Sequence, residues 1–168
     1  DGTIGEMTDE IFHKGLGSVA ERNFRPHVNC VNITPDQKYL CAVDLGVDQV
    51  KIYKFNYETG KITLVDMLRC EQESAPRIIK FSPDGRFAYL ICELKNYISV
   101  YSYKDGPRGP IFELVQTIST LNDYHSKGSA ACVLRFSRDW SYVLCSNAGD
   151  NSIGIFKVDH ETGMLEKI

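Results

Sequence analysis

His27, Arg77 and Glu93 give this 168-residue sequence an imidazole, a cation and a carboxylate that could serve together in acid/base chemistry. An imidazole titrates near neutrality and can take a proton from water. A guanidinium is a fixed cation that can hold an oxyanion or an anionic substrate group. Glu93 closes the apolar run Leu90-Ile91-Cys92, surroundings that suit a carboxyl group to proton transfer. Together they could carry general acid/base chemistry: His27 or Glu93 would take a proton, the other would return it, and Arg77 would hold negative charge. Each also has a plainer reading: His27 as a loop hydrogen-bonding group, and Arg77 with Glu93 as a buried staple between strands. No Gly-x-Ser-x-Gly nucleophile elbow is present. No metal-ligand spacing is evident, and no cofactor or metal is expected.

These residues need elements to bring them together, and an internal repeat supplies them. Thr34-Pro35-Asp36, Ser82-Pro83-Asp84-Gly85 and Ser137-Arg138-Asp139 recur at intervals of about 50 residues, a period of propeller blades. Each turn follows an alternating strand (Val31/Ile33, Ile79/Phe81, Leu134/Phe136) and precedes an apolar one (Tyr39 to Val43, Phe87 to Cys92, Tyr142 to Cys145). A third strand alternates again, over Val50 to Phe55, Ile98 to Tyr103 and Ile153 to Val158. Turns at Glu58-Thr59-Gly60-Lys61 and Glu161-Thr162-Gly163-Met164 lead to a fourth, from Ile62, from Glu113 and from Leu165. The pattern predicts an all-β chain, a β-propeller of four-stranded antiparallel blades. The blades fall at 26–68, 75–118 and 129–168, after an inter-blade loop over 1–25. Thr8 to Lys14 could form at most one or two helical turns. Three blades are too few to close a ring of roughly four to eight, so open blade faces could associate with one another.

The hairpin order fixes where to look for a site. The first strand crosses the disc and the second returns, so the start of one and the end of the other share a rim. That rim holds His27, Asn29 and Asp44 from the first repeat, Arg77 and Glu93 from the second, and Ser129, Cys132 and Asn147 from the third. Convergent polar groups at a channel mouth form the candidate site. Asn29 and Asn147 join Arg77 as candidate substrate-binding residues. Asp44 and Asn147 also suit Asx-type bonds to Gly46 and Gly149. His13, His125 and His160 show no partner in the sequence and are expected at the solvent surface.

Composition narrows the partners. The chain is 43% hydrophobic and 24% charged with a net charge of −3, values of an ordinary globular protein without the basic footprint of nucleic-acid binding. No apolar stretch is long enough to span a membrane, and no membrane partner is expected. The start, Asp1-Gly2-Thr3-Ile4-Gly5-Glu6, is not a signal peptide and lacks Met, as a processed or trimmed chain would. Six cysteines without CxxC fit a reducing cytoplasm, Cys41 and Cys92 being expected as buried apolar residues.

The strings Pro26-His27, Val43-Asp44-Leu45-Gly46-Val47-Asp48, Ala75-Pro76-Arg77, Phe81-Ser82-Pro83-Asp84-Gly85-Arg86, Cys92-Glu93-Leu94 and Thr117-Ile118-Ser119-Thr120-Leu121 carry a resemblance. The sequence resembles the propeller lactonase family, which includes bacterial 6-phosphogluconolactonase of the propeller type and a fungal carboxymuconate lactonizing enzyme. The resemblance implies a seven-bladed ring about twice this length, with this chain as its central portion. It implies a small-molecule lactone as partner and a site at the channel mouth on His27, Arg77 and Glu93. A lactone-forming cycloisomerase, or a propeller that only binds a ligand or protein, are the alternatives on the same scaffold. Two positions depart from the family: Asn29 stands where many members carry a second histidine, and Ala148 follows Ser146-Asn147 where many carry an arginine.

Overall fold

The computed structural model describes residues 2–18, 23–124 and 127–168. Three four-stranded antiparallel sheets follow one another along the chain. The first comprises β1 (Val28–Ile33), β2 (Tyr39–Asp44), β3 (Gln49–Phe55) and β4 (Ile62–Arg69). The second comprises β5 (Pro76–Phe81), β6 (Phe87–Cys92), β7 (Tyr97–Gly106) and β8 (Gly109–Ser119). The third comprises β9 (Ala130–Phe136), β10 (Tyr142–Ala148), β11 (Ser152–Val158) and β12 (Leu165–Lys167). Strands are neighbours in chain order within each sheet, and β5 packs against both β1 and β9. This is the blade architecture that the repeat predicts.

Two apolar layers hold the blades together. Cys41, Val43, Val50 and Ile52 of the first blade meet Ile79, Ala88, Leu90 and Tyr101 of the second. Tyr89, Ile91, Ile98 and Val100, on the other face of the second blade, meet Leu134, Val143, Cys145 and Phe156 of the third. Because β6 lies between both layers, all six of its residues are buried, which is why its sequence is an unbroken apolar run. In β10 burial alternates, since one face packs on the second blade and the other carries exposed Ile153 and Ile155 of neighbouring β11.

One turn device recurs in every blade. Thr34, Ser82 and Ser137 each donate a hydroxyl hydrogen bond to the aspartate two residues on, at 2.6 Å. The same oxygens accept from the backbone N–H of Tyr39, Phe87 and Tyr142. The next position is left-handed in each turn, at Gln37, Gly85 and Trp140. Glycine takes that conformation freely, whereas the other two carry a backbone cost of about 1–2 kcal/mol. Tyr39 reaches Asp105 and Tyr103 reaches Asp36, both at 2.9 Å, sealing the first two blades at this rim.

Residues 2–18 form neither helix nor strand, so the short helix considered for Thr8 to Lys14 does not occur. Tertiary bonds hold the segment extended. Thr8 donates to the Gly60 carbonyl, Asp9 accepts from Ile62 N–H, and His13 bonds Asp44. The segment thus crosses the first blade from its β3–β4 turn to the opposite rim.

Candidate active site

The first strand of every blade starts with a bulge. Val28 faces Asp44 and Cys30 faces Val43, which leaves Asn29 without a partner residue. Pro76 faces Cys92 and Ile78 faces Ile91, leaving Arg77. Ala131 faces Asn147 and Val133 faces Ser146, leaving Cys132. A bulge inserts one unpaired residue, bends the strand and re-aims the side chain. Three blades therefore present Asn29, Arg77 and Cys132 at one level of one rim, where hairpin order in the sequence expects all three.

Arg77 and Glu93 meet. The guanidinium donates from Nη1 to Glu93 Oε2, closing an ion pair between the start of β5 and the residue after β6. The Glu93 side chain is 1% exposed and that of Arg77 29%, so a buried carboxylate sits beneath a cation that reaches the surface. The backbone fixes Glu93 on both sides, its N–H donating to Ala75 O and its carbonyl accepting from Ala131 N–H of the next blade. Both readings of the pair, staple and chemistry, place the two groups in contact.

His27 lies at the same rim, on the neighbouring first blade, and is exposed. Its ring makes no hydrogen bond among the described residues, so the three candidates do not form one hydrogen-bonded cluster. Its backbone is held instead: His27 N–H donates to Asp44 Oδ1 at 2.7 Å, and Leu45 N–H donates to the His27 carbonyl at 3.0 Å. Asp44 Oδ1 also accepts from Gly46 N–H at 3.1 Å, the expected Asx bond. Asn29 is exposed beside His27. Asn147 is buried, with its amide on the Thr120 carbonyl and the Ser152 hydroxyl. Its Oδ1 has no hydrogen-bond partner among the described residues, so the expected bond to Gly149 does not form.

His13 corrects the sequence reading. Expected at the surface, its side chain is 5% exposed, with Nδ1 2.6 Å from Asp44 Oδ2 and Nε2 3.0 Å from the Tyr53 hydroxyl. The partners lie 31 and 40 residues away, and no local pattern announces them. His160 is exposed as expected, and His125 lies outside the described residues. Sequence reading also missed Asp48. It is buried and accepts from the N–H groups of Glu73 and Ala75, both at 2.8 Å, just ahead of Arg77. Its recurrence beside Asp44 in Asp44-Leu45-Gly46-Val47-Asp48 was the available signal.

The opposite rim is chemically different. A cleft of about 260 Å³ there lies between the second and third blades, lined by Phe87, Tyr89, Phe136, Trp140, Asp84 and His160 among others. Hydrogen bonds from Ser82 and Arg86 occupy Asp84. Among the described residues, no three His, Cys, Asp or Glu side chains gather as a metal-ligand set. No helix among them is long and apolar enough to cross a membrane.

The family model described as a lactonase, seven-bladed β-propeller, matches residues 1–168. The chain belongs to this lactonase family. An uncharacterized protein of Staphylococcus epidermidis is 36% identical over 99% of this chain and 47% of its own length. One of Lactococcus lactis is 38% identical over 100% of the chain and 48% of its own length. Among solved structures, a candidate 6-phosphogluconolactonase of Bacteroides fragilis superposes with a TM-score of 0.83 at 33% identity, over 96% of this chain and 46% of that one. A periplasmic gluconolactonase of Pseudomonas aeruginosa gives 0.83 at 30% identity, over 93% and 44%. The chain thus spans about half the length of the lactonase-family relatives it matches. Its three sheets are blades of that propeller.

Proposed function

We propose that the rim carrying His27, Arg77 and Glu93 opens a sugar lactone by hydrolysis in the complete propeller. The observation that carries this reading is the Arg77–Glu93 pair, a buried carboxylate orienting a partly exposed guanidinium at a rim bulge. One Arg77 nitrogen serves Glu93, and the guanidinium has further N–H donors for a substrate oxygen. Family membership and likeness to a gluconolactonase support a lactone as substrate.

The steps balance without a covalent intermediate. Water adds to the lactone carbonyl carbon while His27, whose ring is exposed and free of hydrogen bonds to the described residues, takes its proton. Arg77 stabilises the oxyanion that forms. The ring C–O bond then breaks, and the proton from His27 goes to the departing alkoxide. A hydroxy acid leaves. Glu93 acts through Arg77, so it is a positioning residue here rather than the base. Asn29, exposed on the neighbouring bulge, would contact a substrate hydroxyl, whereas buried Asn147 stands behind the rim. A phosphorylated sugar lactone such as 6-phosphogluconolactone is the substrate proposed, in the cytoplasm.

The test is hydrolysis of 6-phosphogluconolactone and glucono-lactone by the full-length protein. Arg77→Ala should lower kcat by roughly 10²–10³-fold, as expected for loss of an oxyanion donor. His27→Ala should lower it by roughly 10²–10⁴-fold, as for loss of a general base. Unchanged turnover in folded Arg77→Ala and Glu93→Gln variants would overturn the site. Binding of lactone without turnover in the wild type would favour a ligand-binding propeller.

A further inference from the structure

Both arms of the candidate site converge on one short loop that is itself buried. Residues Leu45–Val47 form a single 3-10 turn between β2 and β3, flanked by Asp44 and Asp48. Asp44 has no solvent exposure and uses Oδ1 on the N–H groups of His27 and Gly46. Its Oδ2 meets His13, which the Tyr53 hydroxyl bonds from the far side. Gly46 lets the irregular segment leading to His27 lie against the loop, because a Cβ there would stand 1.7 Å from the Arg25 carbonyl oxygen.

Asp48 serves the other arm. Its Oδ1 accepts from Ala75 N–H and from Asn23 Nδ2, and its Oδ2 accepts from Glu73 N–H. Glu73 and Ala75 are both left-handed, at φ 62° and 53°. Such conformations persist in non-glycine residues only where the surroundings over-determine them, and the Asp48 carboxylate supplies both N–H acceptors. Pro76 and Arg77 follow directly, and Ala75 O in turn accepts from Glu93 N–H.

We propose that Asp44 and Asp48 are positioning residues: the 44–48 loop is a two-armed clamp that sets His27 through one carboxylate and the Arg77–Glu93 arm through the other. His13, itself held by the Tyr53 hydroxyl, completes it by meeting the Asp44 oxygen that His27 does not use. The kinetic part rests on the lactone-opening reading; the structural part does not.

The experiment uses the full-length protein and two readouts. Asp44→Ala should lower kcat for lactone opening roughly 10- to 100-fold, the scale of a small misplacement of a reacting group, with KM changed less than about threefold. Asp44→Asn, which keeps an oxygen for His27 N–H, should recover to within about tenfold of wild type. Hydrogen exchange reads the clamp without any activity. The His27 amide should lose protection in Asp44→Ala, and the Ala75 and Glu73 amides in Asp48→Ala. If the alanine variants do not fold, Asp48→Asn decides, because it keeps the acceptor for Ala75 and loses the one for Glu73, so only Glu73 should be deprotected. Unchanged amide protection in a folded variant overturns the proposal, as does lost protection with unchanged kcat. If the wild type opens no lactone yet these amides lose protection, the clamp stands and the lactone reading falls.

Discussion

At the residue scale, burial separates side chains that the sequence presents alike. Cys41, Cys92 and Cys145 are free thiols enclosed between blades. Burial pushes the first two up to about 12 and the third up to about 11. They should therefore stay protonated and unlabelled by iodoacetamide at pH 8 in the native protein and react once it is denatured. Native labelling of any of the three, read by peptide mass, would contradict this packing. The apolar runs around Cys41 and Cys92 made their burial legible in advance. The role of His13 was not legible, because Asp44 and Tyr53 reach it only after a long segment folds across the first blade. The Arg77–Glu93 contact was legible, since hairpin order alone brings the start of one strand beside the end of the next.

At the scale of elements, the turn between the first two strands of each blade explains the Ser/Thr-x-Asp pattern. Ser82 donates to Asp84 and accepts from the buried Phe87 N–H, so its hydroxyl closes the turn in both directions. Ser82→Ala leaves that N–H without an acceptor and should cost about 1–3 kcal/mol in denaturant unfolding. A cost below a few tenths would show that the hydroxyl is dispensable. Strand identity and order followed from alternation and turn chemistry. The bulges at Asn29, Arg77 and Cys132 did not, because a bulge depends on the register between two strands and alternation along one strand does not reveal it. Those bulges aim the rim residues, so the sequence placed the candidates on one rim without showing how that rim is built.

Over the whole molecule, the two rims carry opposite kinds of chemistry. One holds the Arg77–Glu93 pair and His27; the other is pinned by aspartates in turns. Burial pushes the Asp84 carboxyl up, but hydrogen bonds from Ser82, Arg86 N–H and the Arg86 guanidinium outweigh it and bring it down to about 2. Ser137 and Ser141 lower Asp139, and the Glu161 and Thr162 N–H groups lower Asp159. Carboxyls depressed in the folded state contribute stability above their ordinary range near 4 and lose it as pH falls through the folded value. Tm should be little changed by these groups between pH 8 and 5 and should fall from about pH 4 towards 2. A flat profile below pH 4 would contradict that account. The central claim concerns the other rim, where Arg77 and Glu93 work as one unit. A double-mutant cycle on kcat/KM for 6-phosphogluconolactone, using Arg77→Ala, Glu93→Gln and the pair in the full-length protein, tests it most directly. Each single change should lower kcat/KM by roughly 10²-fold, with the double variant within about threefold of the weaker single, as groups acting together are strongly non-additive. Losses that multiply independently, or wild-type rates in either single variant, would contradict it.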